Sequence, residues 1–233
     1  MKLLSLETAT AAGASALVVD AMVVGEAITT IDRLHTETLL PSAIALLAAA
    51  GLTPQELDGI VVDVGPGLFT GLRVGIATAR SLAFAAELPV YCVTSLSMLA
   101  NDPSVGGIER VVAVVDARRG EVFTQEFQRS ENGVPIATSE PAVLVPADVR
   151  GLLEHRTTTV TLVGDGVTRY EELFAGIDGV TLGTVTTPSP AVAAQIVERD
   201  EVEGVIPSAV TPLYLRDPDA VANFTVATGR GSP

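Results

Sequence analysis

The sequence predicts an α/β fold of two similar halves, each a mixed sheet covered by helices. Three observations carry this. The first hundred residues alternate short apolar runs with helical ones, in the order strand, strand, strand, helix, strand, helix, strand, helix. A turn-dense stretch, Asn101-Asp102-Pro103-Ser104-Val105-Gly106-Gly107, interrupts the pattern, which then restarts. Each half also opens on an apolar strand followed by an acid, Glu7 in the first and Asp116 in the second, so the two acids hold corresponding places in an internal duplication of pattern.

The elements follow in order. Lys2–Leu6, Ala14–Val19 and Val23–Ile31 are the first strands, separated by turn-forming Gly13 and Asp20. Thr38–Ala50 reads as a helix closed by Gly51, with Pro41 in its first turn, where an N–H lacks an intrahelical partner in any case. Thr53-Pro54-Gln55-Glu56 reads as a short capped turn before the strand Gly59–Val64. The run Gly65-Pro66-Gly67-Leu68-Phe69-Thr70-Gly71 is a tight turn whose backbone can approach something closely. Thr70 is placed to cap the helix Leu72–Ala86, which would leave free N–H groups facing whatever lies above the loop. A strand Val90–Val93 and a helix Ser95–Ala100 complete this half.

In the second half, Arg110–Asp116 turns through Ala117–Gly120 into Glu121–Gln128, and Gly133 leads into a further extended stretch. The helix Ala147–Glu154, the strand Thr159–Val163 and the loop Gly164-Asp165-Gly166 come next. Ser189 and Pro190 start a last helix, to about Arg199, as cap and first helical residue. The organisation read from this is residues 1–104, residues 105–187, a returning helix and terminal segment at 188–216, and a loose tail rich in Pro, Gly, Ala and Thr at 217–233.

Composition narrows the function. A chain that is 48% hydrophobic and 18% charged forms a compact globule rather than a disordered segment. Lys2 is followed by a short apolar strand that Glu7 interrupts, so no signal peptide is read, and no apolar run is long enough to span a bilayer. Cys92 is the one cysteine, which excludes an internal disulfide and fits a reducing, cytoplasmic setting; in Val90-Tyr91-Cys92-Val93 it reads as a small core hydrophobe. The net charge of −14, with no basic run longer than Arg118-Arg119, opposes autonomous binding to a phosphate backbone.

The glycine loop has two companions, Leu4-Ser5-Leu6-Glu7-Thr8-Ala9-Thr10 and His35-Thr36-Glu37-Thr38-Leu39-Leu40-Pro41, and Pro212-Leu213-Tyr214-Leu215-Arg216 adds a fourth motif. Together these resemble the TsaB family of bacterial tRNA threonylcarbamoyladenosine biosynthesis proteins, within the actin-like ATPase superfamily. The resemblance runs from Met1 to about Leu215. It implies two actin-like subdomains whose hairpin turns flank a nucleotide cleft, with Glu7, Thr8, Thr10, Asp116, Arg118, Gly164 and Gly166 as the candidate nucleotide-binding residues. It further implies a non-catalytic subunit that dimerises with the transferase TsaD and is joined by the ATPase TsaE. TsaD moves a threonylcarbamoyl group from threonylcarbamoyl-adenylate to the adenosine beside the anticodon of tRNAs reading A-starting codons. No cofactor is then required, although ATP or ADP with Mg can sit at a complex interface.

The chemistry-bearing residues fit that passive role. Glu7 stands where aspartate is usual, Ala9 where active relatives have glycine and Leu68 where the family has serine. A longer acid displaces a metal-bound water by about one methylene, enough to disturb in-line attack. Asp116 can hold a metal ion, or simply cap its own turn while Arg118 pairs with Glu121. TsaD-type transferases carry an HxxxH-type pair, whose spacing puts both imidazoles on one helix face. This chain has only His35 and His155, and Leu39 stands four residues beyond the first. No catalytic and no metal-ligating residue is therefore assigned, and no Gly-x-Ser-x-Gly elbow supports a peptidase.

Leu39–Ala50 and Leu72–Ala86 are apolar nearly all round, so they are covered on both sides, within the fold or by another protein. In the resembling family these helices meet TsaD, or a second copy of the chain when TsaD is absent. That makes His35, Leu39, Leu40, Ala43, Leu47, Thr70, Arg73, Ile76, Ala79, Arg80 and Ala83 the candidate interface. Two alternatives stay open: a working actin-like ATPase or kinase using Glu7 and Asp116, and a homodimeric interaction protein using the same helices.

Overall fold

The computed structural model describes residues 1–29 and 35–216, with 35–37 as helical backbone only. The end of the third strand at 30–31, the His35 side chain and the tail 217–233 lie outside the described residues. Strand β1 (Lys2–Glu7) pairs antiparallel with β2 (Gly13–Val19), and β2 with β3 (Met22–Thr29). On its other side β1 runs parallel to β4 (Gly59–Asp63), and β4 parallel to β5 (Val90–Val93), giving the order β3-β2-β1-β4-β5. Alternation along β1 sends Leu4 and Leu6 to one face and Leu3 to the other, and all three are buried because both faces are covered. Helices α1 (His35–Ala49) and α2 (Phe69–Ala86) cover the first face.

After α3 (Ser95–Ala100) the second sheet is built from β6 (Arg110–Arg118), β7 (Glu121–Arg129), β8 (Pro135–Ala137), β9 (Ala142–Leu144), β10 (Val160–Val163) and β11 (Val180–Leu182). Its order is β11-β10-β6-β7-β8, with β9 also on β7. Read from β8 to β11, every neighbour has the same sense as in the first sheet: antiparallel, antiparallel, parallel, parallel. The duplication expected from Glu7 and Asp116 is thus a duplication of topology, and the two-sheet arrangement is the one expected of actin-like subdomains.

Helices α4 (Pro146–Glu154), α5 (Asp165–Arg169) and α6 (Glu171–Phe174) cover one face of this sheet. The remaining two helices are exchanged between halves. α3 follows the first sheet but packs Leu96, Leu99 and Ala100 on Val111, Ala113 and Val115 of β6. α7 (Pro190–Arg199) follows the second sheet but packs Ala191 to Val197 on Leu3, Val18 and Val61 of the first. Ser189 caps α7 through the Val192 N–H, and Pro190 opens it, as its sequence predicts.

The structure corrects several boundaries. α1 starts at His35 rather than Thr38, so Pro41 lies inside the helix and removes one of its hydrogen bonds. α2 starts at Phe69, capped by Leu68 without a side-chain bond, so Thr70 is a helical residue and not the cap. β9, α5, α6 and β11 are not expected from the sequence; each is three to five residues, too short to show a period, and Asp165 and Gly166, read as loop, open α5. Among the described residues no helix is long and apolar enough to cross a membrane.

Candidate functional site

The first loop and the glycine loop close on each other. The Glu7 carboxylate accepts the N–H groups of Ala9 (2.6 Å) and Thr10 (3.2 Å), folding Glu7-Thr8-Ala9-Thr10 around its own acid. Thr8 donates its hydroxyl to Gly71 O (2.8 Å), and Thr10 donates to Ala12 O (3.3 Å). From the other side the Leu68 N–H donates to Ala9 O at 2.7 Å. A Cβ on Gly67 would collide with Ala9 O, and one on Gly75 with the Thr8 hydroxyl. The close approach that these glycines allow is therefore made to the chain's own first loop.

Glu7 and Asp63 end neighbouring parallel strands and are both 1% exposed. Burial pushes the Asp63 carboxyl up to about 7, against the pull of its bonds from the Gly65 N–H and the Ser95 hydroxyl. Burial, then the Asp63 charge, raises Glu7 well above the usual carboxylate range. In the second half Asp116 accepts the Arg118 N–H (2.9 Å) and pairs with the guanidinium groups of Arg118 (2.9 Å) and Arg169 (3.5 Å). Asp116 thus caps its own turn. Arg118 pairs with it rather than with Glu121, which takes Arg216 at 2.7 Å. Asp165 accepts the Asp116 N–H, and its carboxyl is raised by burial.

Gly164 and Gly166 serve a packing need. A Cβ at either would run into Val114 O, so the two glycines let the start of α5 lie against β6. Between the halves lies a cavity of ≈ 400 Å³ lined in part by Glu7, Glu26, Asp102, Ser104 and Thr184. Among the described residues its lining contains the carboxyl groups of Glu7, Glu26 and Asp102 and no cationic side chain, so a phosphate group meets like charge at Glu26 and Asp102 unless a cation accompanies it. Of the seven candidate nucleotide residues, Glu7 alone lines it. Among the described residues no group of three or more His, Cys, Asp or Glu side chains is arranged to hold a metal ion.

The helix pair divides the candidate interface in two. Leu39, Ala43 and Leu47 on α1, and Ile76, Ala79 and Ala83 on α2, are buried against the sheet and belong to the core. This corrects their assignment to a partner surface: they face inward because they share the stripe that meets β1 and β4. The outward face carries Leu40, Ile44, Thr70, Arg73, Ala77, Arg80 and Phe84, the last 80% exposed. Arg73 lies 3.7 Å above the Phe69 ring and donates to the Tyr214 hydroxyl (3.1 Å), while Phe69 and Tyr214 stack with ring centroids 5.0 Å apart. The Pro212–Arg216 segment is thereby strapped to the start of α2. Phe84 and Asp63 were missed. Asp63 repeats the signal of Glu7 and Asp116, an apolar strand ending in an acid.

Comparison with known proteins places the geometry. The model of the TsaD family, described as tRNA N6-adenosine threonylcarbamoyltransferase, matches residues 23–199. A protein of Escherichia coli (strain K12), tRNA threonylcarbamoyladenosine biosynthesis protein TsaB, is 33% identical over 223 residues, 93% of this chain and 95% of its own. Its namesake in Bacillus subtilis (strain 168) is 28% identical over 227 residues, covering 96% and 98%. Among solved structures, YeaZ from Pseudomonas aeruginosa superposes with a TM-score of 0.80 at 31% identity, over 92% of this chain and 99% of that one.

Proposed function

We propose that this chain, which belongs to the TsaD family in its broad sense and within it to the TsaB proteins, serves tRNA threonylcarbamoyladenosine biosynthesis as a non-catalytic subunit. Its partner is the TsaD-type transferase. The observation that carries this reading is the closure of the first loop on the glycine loop: the Thr8 hydroxyl and the Leu68 N–H, groups a nucleotide would need, are spent across the two segments, and the Glu7 carboxyl is spent on the N–H groups of its own loop. Its two histidines, His35 and His155, do not stand four residues apart, so no helix face carries the HxxxH-type pair of the catalytic relative.

The partner meets the outward face of α1 and α2, where Leu40, Ile44 and Phe84 put apolar area in water. The same face supports a homodimer when the partner is absent. A TsaE-type ATPase joins the pair, and ATP or ADP with Mg binds at a complex interface rather than on this chain alone. With a net charge of −14 the isolated chain leaves tRNA to its partner, and the work is done in the cytoplasm.

Reconstituted threonylcarbamoyl transfer tests the reading. With the TsaD-type subunit of the same organism, transfer is expected to depend on this chain and to survive Glu7→Gln and Asp116→Asn within about threefold. A loss of about a hundredfold or more with either folded variant would assign the residue to the chemistry and overturn the non-catalytic role.

A further inference from the structure

The fourth sequence motif, Pro212-Leu213-Tyr214-Leu215-Arg216, lies across both halves of the molecule. The chain reaches it along the first half. Val205 exchanges backbone bonds of 2.8 and 2.9 Å with Val90 of β5, and Val210 is buried in the core that α1 and α2 cover. Pro212 then fixes its own φ and holds Thr211 extended, which keeps the segment from curling into a turn. The Leu213 N–H donates to Val64 O at 2.7 Å, and Tyr214 stacks on Phe69 and accepts from Arg73. One residue later the contacts change halves. Leu215 packs on the cluster that joins α3 to β6 and β7, and Arg216 pairs with Glu121 of β7 at 2.7 Å.

The described chain thus crosses between the halves three times. It crosses ahead of α3, which packs on the second sheet, and again over 183–189, ahead of α7, which packs on the first. The third crossing is the step from Tyr214 to Leu215. Two crossings define an axis and leave rotation about it free, as hinges between domains do. A third contact off that axis removes the freedom.

We propose that the Pro212–Arg216 motif is a clasp that holds the two halves at one angle, and that its release lets them swing about the first two crossings. The contacts suit a reversible clasp. The Arg216 and Glu121 side chains keep 30% and 34% of their exposure, and Tyr214 is 39% exposed, so water competes for each of them. The grips also sit at the two turns that carry the acids. Val64 and Phe69 flank the glycine loop, whose Leu68 N–H holds Ala9 of the Glu7 loop. Glu121 faces Arg118 across the turn that Asp116 caps. Swinging therefore moves the Glu7 loop relative to the Asp116 turn. The bond from Arg73 to Tyr214 places the clasp at the edge of the outward face of α2.

Distances between two spin labels in the full chain test this. With Cys92→Ala, labels go on Gln55→Cys in the first half and Leu152→Cys in the second, both exposed positions. Dilution with unlabelled chain confines the signal to distances within one molecule. A single narrow distance is expected while the clasp is intact. With Leu215→Ala and Arg216→Ala together, the share of a second distance is expected to rise about tenfold or more, and an unchanged distribution overturns the proposal. Arg216→Ala and Glu121→Ala are each expected to raise that share about threefold, and the two together no further than either alone. Additive effects of the two overturn the clasp, because they show the side chains acting separately. Should the Leu215 and Arg216 double variant fail to fold, Arg216→Ala decides: a rise supports the clasp and an unchanged distribution refutes it.

Discussion

Thr8 occupies the space that a side chain on Gly75 would fill, and from there its hydroxyl reaches Gly71 O one turn earlier at 2.8 Å. Helix α2 and the first loop are joined through this contact, so the glycine is a requirement of packing. Gly75→Ala is expected to destabilise by about 1–3 kcal/mol, as overpacking does. At an exposed helix position the same change stabilises by about 1 kcal/mol. Urea unfolding measures the sign. A cycle with Thr8→Ala, which removes the obstacle, is expected to show coupling of about 1 kcal/mol or more.

Stability is expected to fall as the solution becomes less acidic. A carboxyl whose folded pKa lies above its unfolded value stabilises the fold fully below the unfolded value, and that contribution is lost as pH rises through the folded one. For Asp63 the loss runs from near the ordinary aspartate value of 3.8 to about 7, with a slope of at most about 1.4 kcal/mol per pH unit for one proton. Glu7 acts in the same direction. Unfolding free energies across this range are expected to decline more in the wild type than in Asp63→Asn, whose advantage grows with pH.

The two faces of the helix pair separate fold from association. Leu47→Glu or Ala79→Glu buries a charge in the core, and each is expected to cost about 3 kcal/mol or more, or to abolish folding. Ile44→Glu and Phe84→Glu, on the outward face, are expected to leave stability within about 0.5 kcal/mol. Thermal melts of the four variants distinguish the groups.

Arg73 links the C-terminal strap to α2. Arg73→Ala removes its place above Phe69 and its bond to Tyr214. A loss of about 1–2 kcal/mol is expected, with faster exchange concentrated at residues 211–216. Uniform loosening across the chain would show that the stack does not act locally.

Much of the fold is legible in the sequence because its signals are local. Thr53 and Glu56 form the expected capping box, and Ser189 and Pro190 start α7 as written. The shared pattern of Glu7 and Asp116 anticipates two sheets of one topology. The site was less legible. Inner Leu39, Ala43 and Leu47 and outer Leu40 and Ile44 are equally apolar, so hydrophobicity alone does not tell core from surface on α1. The glycine loop announces a close approach without saying to what, and the partner, Thr8 to Ala9, stands some sixty residues earlier. Thr70 looks like a cap in sequence. The bond from the Leu68 N–H to Ala9 instead fixes the chain just ahead of Phe69, where the helix begins.

The most direct measurement is the mass of the purified chain mixed with the TsaD-type protein of its organism, by size exclusion with light scattering. A one-to-one complex that Phe84→Glu dissolves while leaving the chain folded is the expected result. A homodimer that ignores the partner, or a complex indifferent to Phe84→Glu and Ile44→Glu together, would contradict the assignment of the outward helix face to that partner.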